Sequence, residues 1–205
     1  MTVQVQLTAV TREDVARIAE WLKDPEVCDM WLGRYTYGDP AHLGYEPEKM
    51  LTASEEDWNE VFQDPHHTPH RDIFSIRTMS GEHIGEAQLS IEEALGDAQI
   101  SILIGRKDLW HQGYGTAATL ALLEHIFVTL GLYRAWVDIP EYNTAARNMF
   151  LQLGFRHEGT LRHSRPHKGA RHNSFIMGML QNKFWRLYPD GVTSHVTPGA
   201  DASLV

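Results

Sequence analysis

Gly105-Arg106-Lys107-Asp108-Leu109-Trp110-His111-Gln112-Gly113-Tyr114-Gly115-Thr116-Ala117 lies between an apolar strand-like run, Ala98 to Ile104, and a long helical pattern beginning near Gly115. A strand, a glycine-bearing turn and a helix start gather free backbone N–H groups and a positive dipole end at one spot. That is an anion site, best matched to phosphate. Gly113 and Gly115 let the backbone approach a ligand with no Cβ in the way. Gly113-x-Gly115-x-x-Ala118 also fits the dinucleotide-binding fingerprint, with Asp138 roughly 20 residues further on as the ribose-binding acid. Three features oppose that reading. The glycines follow a loop of several residues instead of a tight turn, three hairpin-like strands precede them, and only one more helix fits before the closing hairpin.

Outward from this turn, residues 72–78, 83–91 and 98–104 read as consecutive strands joined at Ser80-Gly81 and Gly96-Asp97. A helix is predicted from about Gly115 to Leu130, a strand from Tyr133 to Ile139, and a helix from Asn143 to Leu153. Residues 155–163 and 172–180 form a closing hairpin across Lys168-Gly169. Nearer the N-terminus, Val3, Val5, Leu7 and Ala9 alternate as in a half-buried strand. Thr11 and Asp14 have capping-box spacing before Val15, Ile18 and Leu22, and Asp24-Pro25 ends that helix. Residues 31–50 read as an irregular loop, and Ser54 opens a short acidic helix carrying Trp58, Val61 and Phe62. The pattern is one mixed α/β domain over residues 1–185, with 186–205 as a loosely ordered tail.

A second cluster, Asn143-Thr144-Ala145-Ala146-Arg147-Asn148-Met149-Phe150-Leu151-Gln152-Leu153-Gly154-Phe155, begins about 30 residues after the glycine turn. Asn143 is placed to cap its helix, and Gly154 to end it. Together the two clusters resemble the Gcn5-related N-acetyltransferase (GNAT) superfamily, over residues 84–181. Trp110, three residues before Gly113, and Glu158-Gly159-Thr160-Leu161-Arg162 resemble the branch holding ribosomal-protein alanine and spermidine acetyltransferases. The resemblance implies a central, mostly antiparallel sheet flanked by helices, whose two parallel central strands splay apart. It implies acetyl-CoA as cofactor. Unpaired strand groups near Ile102, Leu103 and Ile104 would take the pantetheine arm, and Gln112, Gly113, Tyr114, Gly115, Thr116 and Ala117 would cradle the pyrophosphate. Asn143 would contact the cofactor arm, while Arg147 and the basic stretch after residue 155 would neutralise remaining phosphate charge.

The implied activity is direct acetyl transfer to a primary amine in a ternary complex. The acceptor classes are a small cationic amine, an amino sugar or antibiotic, or a protein N-terminus. An amine with pKa near 10 is protonated at neutral pH, so a general base or water relay is needed. Asp138 matches the family position of a glutamate base, with Glu86, Glu141 and Tyr142 as further candidates. Phe150 stands where many members carry a tyrosine that protonates the thiolate, so Tyr142 or water would serve as acid. Carbonyl polarisation would rest on a backbone N–H in a bulged strand around Leu103. A non-catalytic acyl-CoA-binding or regulatory domain of the same fold is the alternative that Phe150 permits.

The 205 residues carry a formal net charge of −9, divided as −13 over residues 1–100, zero over 101–155 and +4 over 156–205. The acidic half argues against a nucleic-acid partner and suits a cationic acceptor, although solvated helix faces account for many of its carboxylates. Cys28 is the only cysteine, which excludes an intrachain disulfide and a multi-cysteine zinc site. It is expected to be a buried apolar thiol. His66, His67 and His70 lack a second cluster, so no metal site is expected. No apolar stretch is long enough to span a membrane and no signal-peptide layout is seen, so a cytoplasmic location is expected, and the resemblance allows a homodimer. Trp31, Tyr35, Tyr37 and Tyr45 are candidates to line the acceptor pocket.

Overall fold

The computed structural model describes residues 3–31, 45–62, 70–192 and the backbone of 195–196. The elements are β1 (Val5–Thr8), α1 (Arg12–Trp21), α2 (Pro25–Trp31), α3 (Pro47–Leu51), α4 (Glu55–Phe62), β2 (Arg71–Thr78), β3 (His83–Glu92) and β4 (Asp97–Ile104). There follow α5 (Tyr114–Glu124), β5 (Arg134–Pro140), α6 (Thr144–Gln152), β6 (Arg156–His167), β7 (Ala170–Leu180), α7 (Gln181–Leu187) and β8 (His195–Val196). Among the described residues the strands form one sheet in the order β6-β7-β5-β4-β3-β2-β1-β8. Its pairs are antiparallel except β4 with β5 and the two-residue contact of β8 with β1. This is the mixed, centrally parallel sheet expected from the sequence.

Strand alternation assigns the two faces. Ala98 and Ile100 of β4, with Ala135, Val137 and Ile139 of β5, are buried in one cluster with Ala117, Ala118, Ala121 and Leu122 of α5. Alanines at these positions let α5 lie close to the sheet. Phe150 of α6 and Phe184 of α7 join that cluster. The opposite face carries α1 and α2, whose Ile18, Leu22, Val27 and Cys28 bury Leu103. The α1 start is as read: Thr11 accepts from the Asp14 N–H and Asp14 from the Thr11 N–H. Asp14 also receives Ser75 at 2.8 Å and Arg77 at 2.6 Å, which ties the cap to β2.

Three helices depart from the reading. Asp24-Pro25 ends one helix but also starts α2, because proline suits the first helical turn where its missing N–H is not needed. Pro47 opens α3 in the same way. After Leu180 the chain turns into α7 and buries Phe184 in the core, and the backbone of His195–Val196 pairs with β1. The α5 helix continues through a wider turn over His125–Thr129, closed by the Leu130 N–H on the His125 carbonyl at 2.9 Å.

Gly105, just past β4, donates its N–H to the Ile84 carbonyl at 2.9 Å. A Cβ on it would lie 2.0 Å from the Trp21 ring. Gly105→Ala therefore must push α1 away from the sheet and should cost about 1–3 kcal/mol, the usual range for overpacking. Urea unfolding measures it, and pairing the change with Trp21→Leu should recover most of the loss.

Candidate functional site

β4 and β5 pair only at Asp97–Arg134, Ala98–Ala135 and Gln99–Trp136, then part. Each remains bound on its other side, β4 to β3 as far as Ile104 and β5 to β7 as far as Pro140. In an antiparallel pair, alternate residues direct both backbone groups to the partner. Because the Gly105 N–H bonds Ile84, the register gives Leu103 and Ser101 to β3 as well. A Cβ on Gly85 would lie 2.0 Å from the Leu103 oxygen, in keeping with that direction. Ile102 and Ile104 face the opening instead. Trp110 Nε1 takes the Ile104 carbonyl at 2.7 Å, which leaves the Ile104 N–H and both groups of Ile102. Leu103 is thus corrected: it lines the cleft with its side chain, not with free backbone groups. The expected bulge around it is also absent, since β3 and β4 stay in unbroken register from Gly85–Ile104 to Glu92–Asp97.

At the end of this cleft the α5 N-terminus supplies the anion cradle. Gly113 precedes it with φ of +93°, a left-handed conformation that a side chain strains. Tyr114, Gly115 and Thr116 present the N–H groups that a first helical turn leaves unpaired. Ala117 is not one of them, because its N–H bonds the Gly113 carbonyl at 2.9 Å. Gln112 also turns away, donating to the Asp108 carbonyl at 2.5 Å. Asn143 lines the cleft but has a partner at each end of its amide. Its oxygen caps α6 at the Ala146 N–H (3.1 Å), and its nitrogen donates to the Met30 carbonyl of α2 (2.8 Å). Arg147 lies 4.7 Å over the Phe175 ring and does not line the cleft.

The cleft encloses about 620 Å³ and is lined by Trp31, Ile102, Leu103, Gly113, Gly115, Asp138, Tyr142, Asn143, Phe150 and Arg165 among others. Asp138 faces it two residues beyond the last β4–β5 pair. Its Oδ2 accepts from Arg165 Nη2 at 2.5 Å, while Oδ1 is buried without a hydrogen-bond partner among the described residues. The Tyr142 hydroxyl is likewise buried and unpartnered, its ring stacked 4.0 Å from His167. Burial pushes that phenol up, so it keeps its proton at neutral pH. Phe150 packs edge-on against Phe155 at the cleft wall. Glu141 pairs with His172 at 3.1 Å and is not a lining residue. Glu86 is sealed below the cleft, fully buried and bound by the Tyr45 hydroxyl and by Gln88 Nε2. It does not line the cleft, which removes it from direct contact with a ligand there.

Trp31 donates to Ser101 Oγ at 2.7 Å and walls the cleft, whereas Tyr45 is turned to Glu86. Tyr35, Tyr37, His66 and His67 lie outside the described residues. His70 contacts Glu93 at 2.8 Å, and among the described residues no three His, Cys, Asp or Glu side chains gather as metal ligands would. Cys28 is buried. No helix among the described residues is long and apolar enough to cross a membrane. Many acids of the first half form surface pairs, such as Glu13–Arg17, Glu20–Lys23, Glu46–Lys49 and Glu55–Arg12. Arg165 carries no local signal that sets it apart in the sequence. It belongs to the basic stretch after residue 155, and a register shift between Leu161 and Arg165, which residue patterns do not reveal, sets its direction.

A family model described as an acetyltransferase (GNAT) domain matches residues 4–156. An uncharacterized N-acetyltransferase p20 from Bacillus licheniformis is 27% identical over 94 residues, which cover 46% of this chain and 52% of that protein. The chain thus spans about half the length of that curated relative. The spermidine N-acetyltransferase from Vibrio cholerae, solved in complex with CoA and spermine, aligns with a TM-score of 0.70 at 20% identity. That alignment covers 88% of this chain and 97% of that one. A structure described as a probable acetyltransferase aligns with a TM-score of 0.70 at 19% identity, over 87% and 94% of the two chains.

Burial pushes the Glu86 carboxyl up from 4.5 to about 7, against the opposing hydrogen bonds from Tyr45 and Gln88. Between those values the folded chain holds a proton that the unfolded chain has released, so raising the pH favours unfolding. The loss above pH 7 is on the order of 3 kcal/mol. His83 acts in the opposite sense: burial pushes it down to about 4, so it destabilises the fold as pH falls below its ordinary value. Glu86→Gln should therefore flatten the decline in melting temperature between pH 5 and 8 and leave the acid side unchanged. An unaltered alkaline slope, measured by calorimetry, would count against this assignment.

Proposed function

Since the chain belongs to the acetyltransferase (GNAT) domain family, we propose that it is an acetyl-CoA-dependent N-acetyltransferase acting on a primary amine by direct transfer in a ternary complex. The observation that carries this reading is the splay after Gln99 and Trp136, where a strand-wide gap with free backbone groups runs to the N-terminus of α5. Peptide-like ligands fill such a gap as an added strand. The Ile102 carbonyl and the Ile104 N–H would hold the pantetheine arm. The N–H groups of Tyr114, Gly115 and Thr116 would hold the pyrophosphate. Acetyl-CoA supplies the activated acetyl group as a thioester.

The chain's own groups would manage two protons and one developing charge. Asp138, which lines the cleft and has one carboxylate oxygen unpartnered among the described residues, would accept the proton that the amine gives up, directly or through water. Tyr142, a buried phenol that keeps its proton, would return one to the departing thiolate. The Ile102 N–H is the backbone donor available to a carbonyl oxygen at the head of the splay. The curated relative and the Vibrio cholerae enzyme, both N-acetyltransferases by name, support the reaction class. Two observations favour a second reading, a non-catalytic acyl-CoA-binding domain: Phe150 has no proton to give, and Asp138 already holds Arg165.

Thiol release from acetyl-CoA across an amine panel separates the two. Amine-dependent release with intersecting initial-rate lines is expected; tight acetyl-CoA binding without release supports the binding domain. Tyr142→Phe should lower kcat about 10- to 100-fold with little change in KM, in line with loss of a general acid. For the cradle, Gly115→Asp places a carboxylate in the first turn of α5, where it suits the helix dipole but repels phosphate. Its melting temperature should hold or rise while affinity for CoA falls at least tenfold by titration calorimetry. Unchanged affinity would remove the pyrophosphate assignment.

A further inference from the structure

His111 holds a backbone conformation that few side chains adopt. Its φ is +60°, in the left-handed region, where a Cβ crowds the following carbonyl and glycine is free of the cost. The other described non-glycine residues with positive φ, His163 and Lys168, belong to the β6–β7 hairpin. His111 instead lies two residues before Gly113, on the approach to the N-terminus of α5. Its neighbours in the loop are engaged within the protein. Trp110 donates to the Ile104 carbonyl and packs with Ile18, Leu22 and Val27, while Gln112 donates to the Asp108 carbonyl. His111 is exposed and lines the cleft. Glycine would hold this turn without strain, so the imidazole adds something other than turn geometry, namely a side chain whose charge can change.

The charged side chains around it are paired. Arg106 holds Asp108 at 2.6 Å and also Glu82, and Lys107 holds Asp24 at 3.0 Å and also Glu26, which lines the cleft. Among the described residues, the elements packed against this end bring Asp24 and Glu26 from the α2 side, Tyr114 from α5 and Arg147 from α6. Arg147 lies over the Phe175 ring, and the contacts at Gly113 and Gly115 themselves are with Val3 and Met149. A pyrophosphate seated on the Tyr114, Gly115 and Thr116 N–H groups thus meets the partial charge of the backbone and, beside it, the exposed imidazole.

Resting on the acetyl-CoA reading of the cleft, we propose that His111 is a titratable contact of the anion cradle, and that it couples cofactor binding to proton uptake. As the imidazolium it donates a charge-assisted hydrogen bond to a pyrophosphate oxygen, stronger than the bond a neutral ring makes. A group that gains an anionic partner on binding holds its proton more tightly in the complex. Affinity therefore rises as pH falls through the histidine range and declines above it. CoA as product carries the same pyrophosphate and is released more readily on the alkaline side. Proton demand at the two ends of the cleft is opposed: the amine must lose a proton, and the cradle gains one.

Dephospho-CoA is the probe, because the additional phosphomonoester of CoA itself titrates near pH 6. Titration calorimetry on the full chain should give a Kd that weakens about three- to tenfold from about pH 5.5 to 8, with proton uptake seen as a dependence of the heat on buffer ionisation. His111→Asn, which tolerates the left-handed conformation, should keep Kd within about twofold of the alkaline wild-type value throughout. His111→Arg, whose charge is fixed, should keep it within about twofold of the acidic value. Thermal melting checks that both variants fold. Glu86, pushed up to about 7, titrates in the same window, but wild type and variants share it, so the difference between them belongs to His111. A flat wild-type Kd, or a slope kept by His111→Asn, would overturn the proposal and leave the cofactor site standing. Absence of binding by the wild type at every pH would overturn the acetyl-CoA reading, and the histidine's part with it.

Discussion

The rest of the structure depends on one constraint, that buried backbone N–H and C=O groups must find partners. β3 and β4 meet it along eight residue pairs, and β5 and β7 along seven. Between these two half-sheets it is met for only three pairs, after which the strands diverge. The Ile102 groups and the Ile104 N–H are then exposed to a cleft that an apolar side chain cannot satisfy. A ligand with amides of its own can. The site is therefore a missing piece of sheet, and specificity for an extended, peptide-like arm follows from the backbone without any dedicated side chain.

Side chains enter where the backbone cannot serve. The face of the sheet away from α5 carries an unusual density of buried polar groups: Asp14, Ser75, Glu86, Gln88 and Ser174 are all nearly inaccessible. Most are satisfied by each other, as Asp14 is by Ser75 and Arg77. The unsatisfied ones in the cleft wall are Asp138 Oδ1, Arg165 Nε and the Tyr142 hydroxyl. Gathered on one wall, Asp138 and Tyr142 are the groups that the proposed proton exchange would use. Four further buried atoms without a partner among the described residues, Arg71 Nε, His83 Nδ1, Gln88 Oε1 and His125 Nδ1, lie outside the cleft lining.

How much of this was legible in the sequence depends on whether the signal was local. The cap at Thr11, the three consecutive strands, α5 behind its glycines and α6 behind Asn143 each rest on a few neighbouring residues, and each is present. Pro25 and Pro47 misled because proline stops one helix and starts another with equal ease. Which backbone groups face the cleft depends on the parity of the β3–β4 register, which residue types do not encode, so the sequence does not separate Ile102 and Ile104 from Leu103. Arg165 was hidden for a related reason, because a register shift in β6 sets its direction. Asn143 was recognised as a cap, but its second bond joins it to Met30, 113 positions away, and no spacing rule reaches that far.

That long-range bond completes the account of how a sheet missing its central pairing stays closed. α2 lies across the splay and is fastened at adjacent residues to both sides of it. Trp31 donates to Ser101 on β4, and the Met30 carbonyl receives Asn143 just beyond β5. Two side-chain bonds through one helix thus connect the half-sheets at the level where strand-to-strand bonds cease. Each net contribution is modest, on the order of 1 kcal/mol, but both are made by residues that also line the cleft. A ligand that spreads β4 from β5 must work against this strap, and one that fits between them leaves it intact. The α2 strap at Met30 and Trp31 thus helps hold the two half-sheets together beside the gap that their diverging backbones leave.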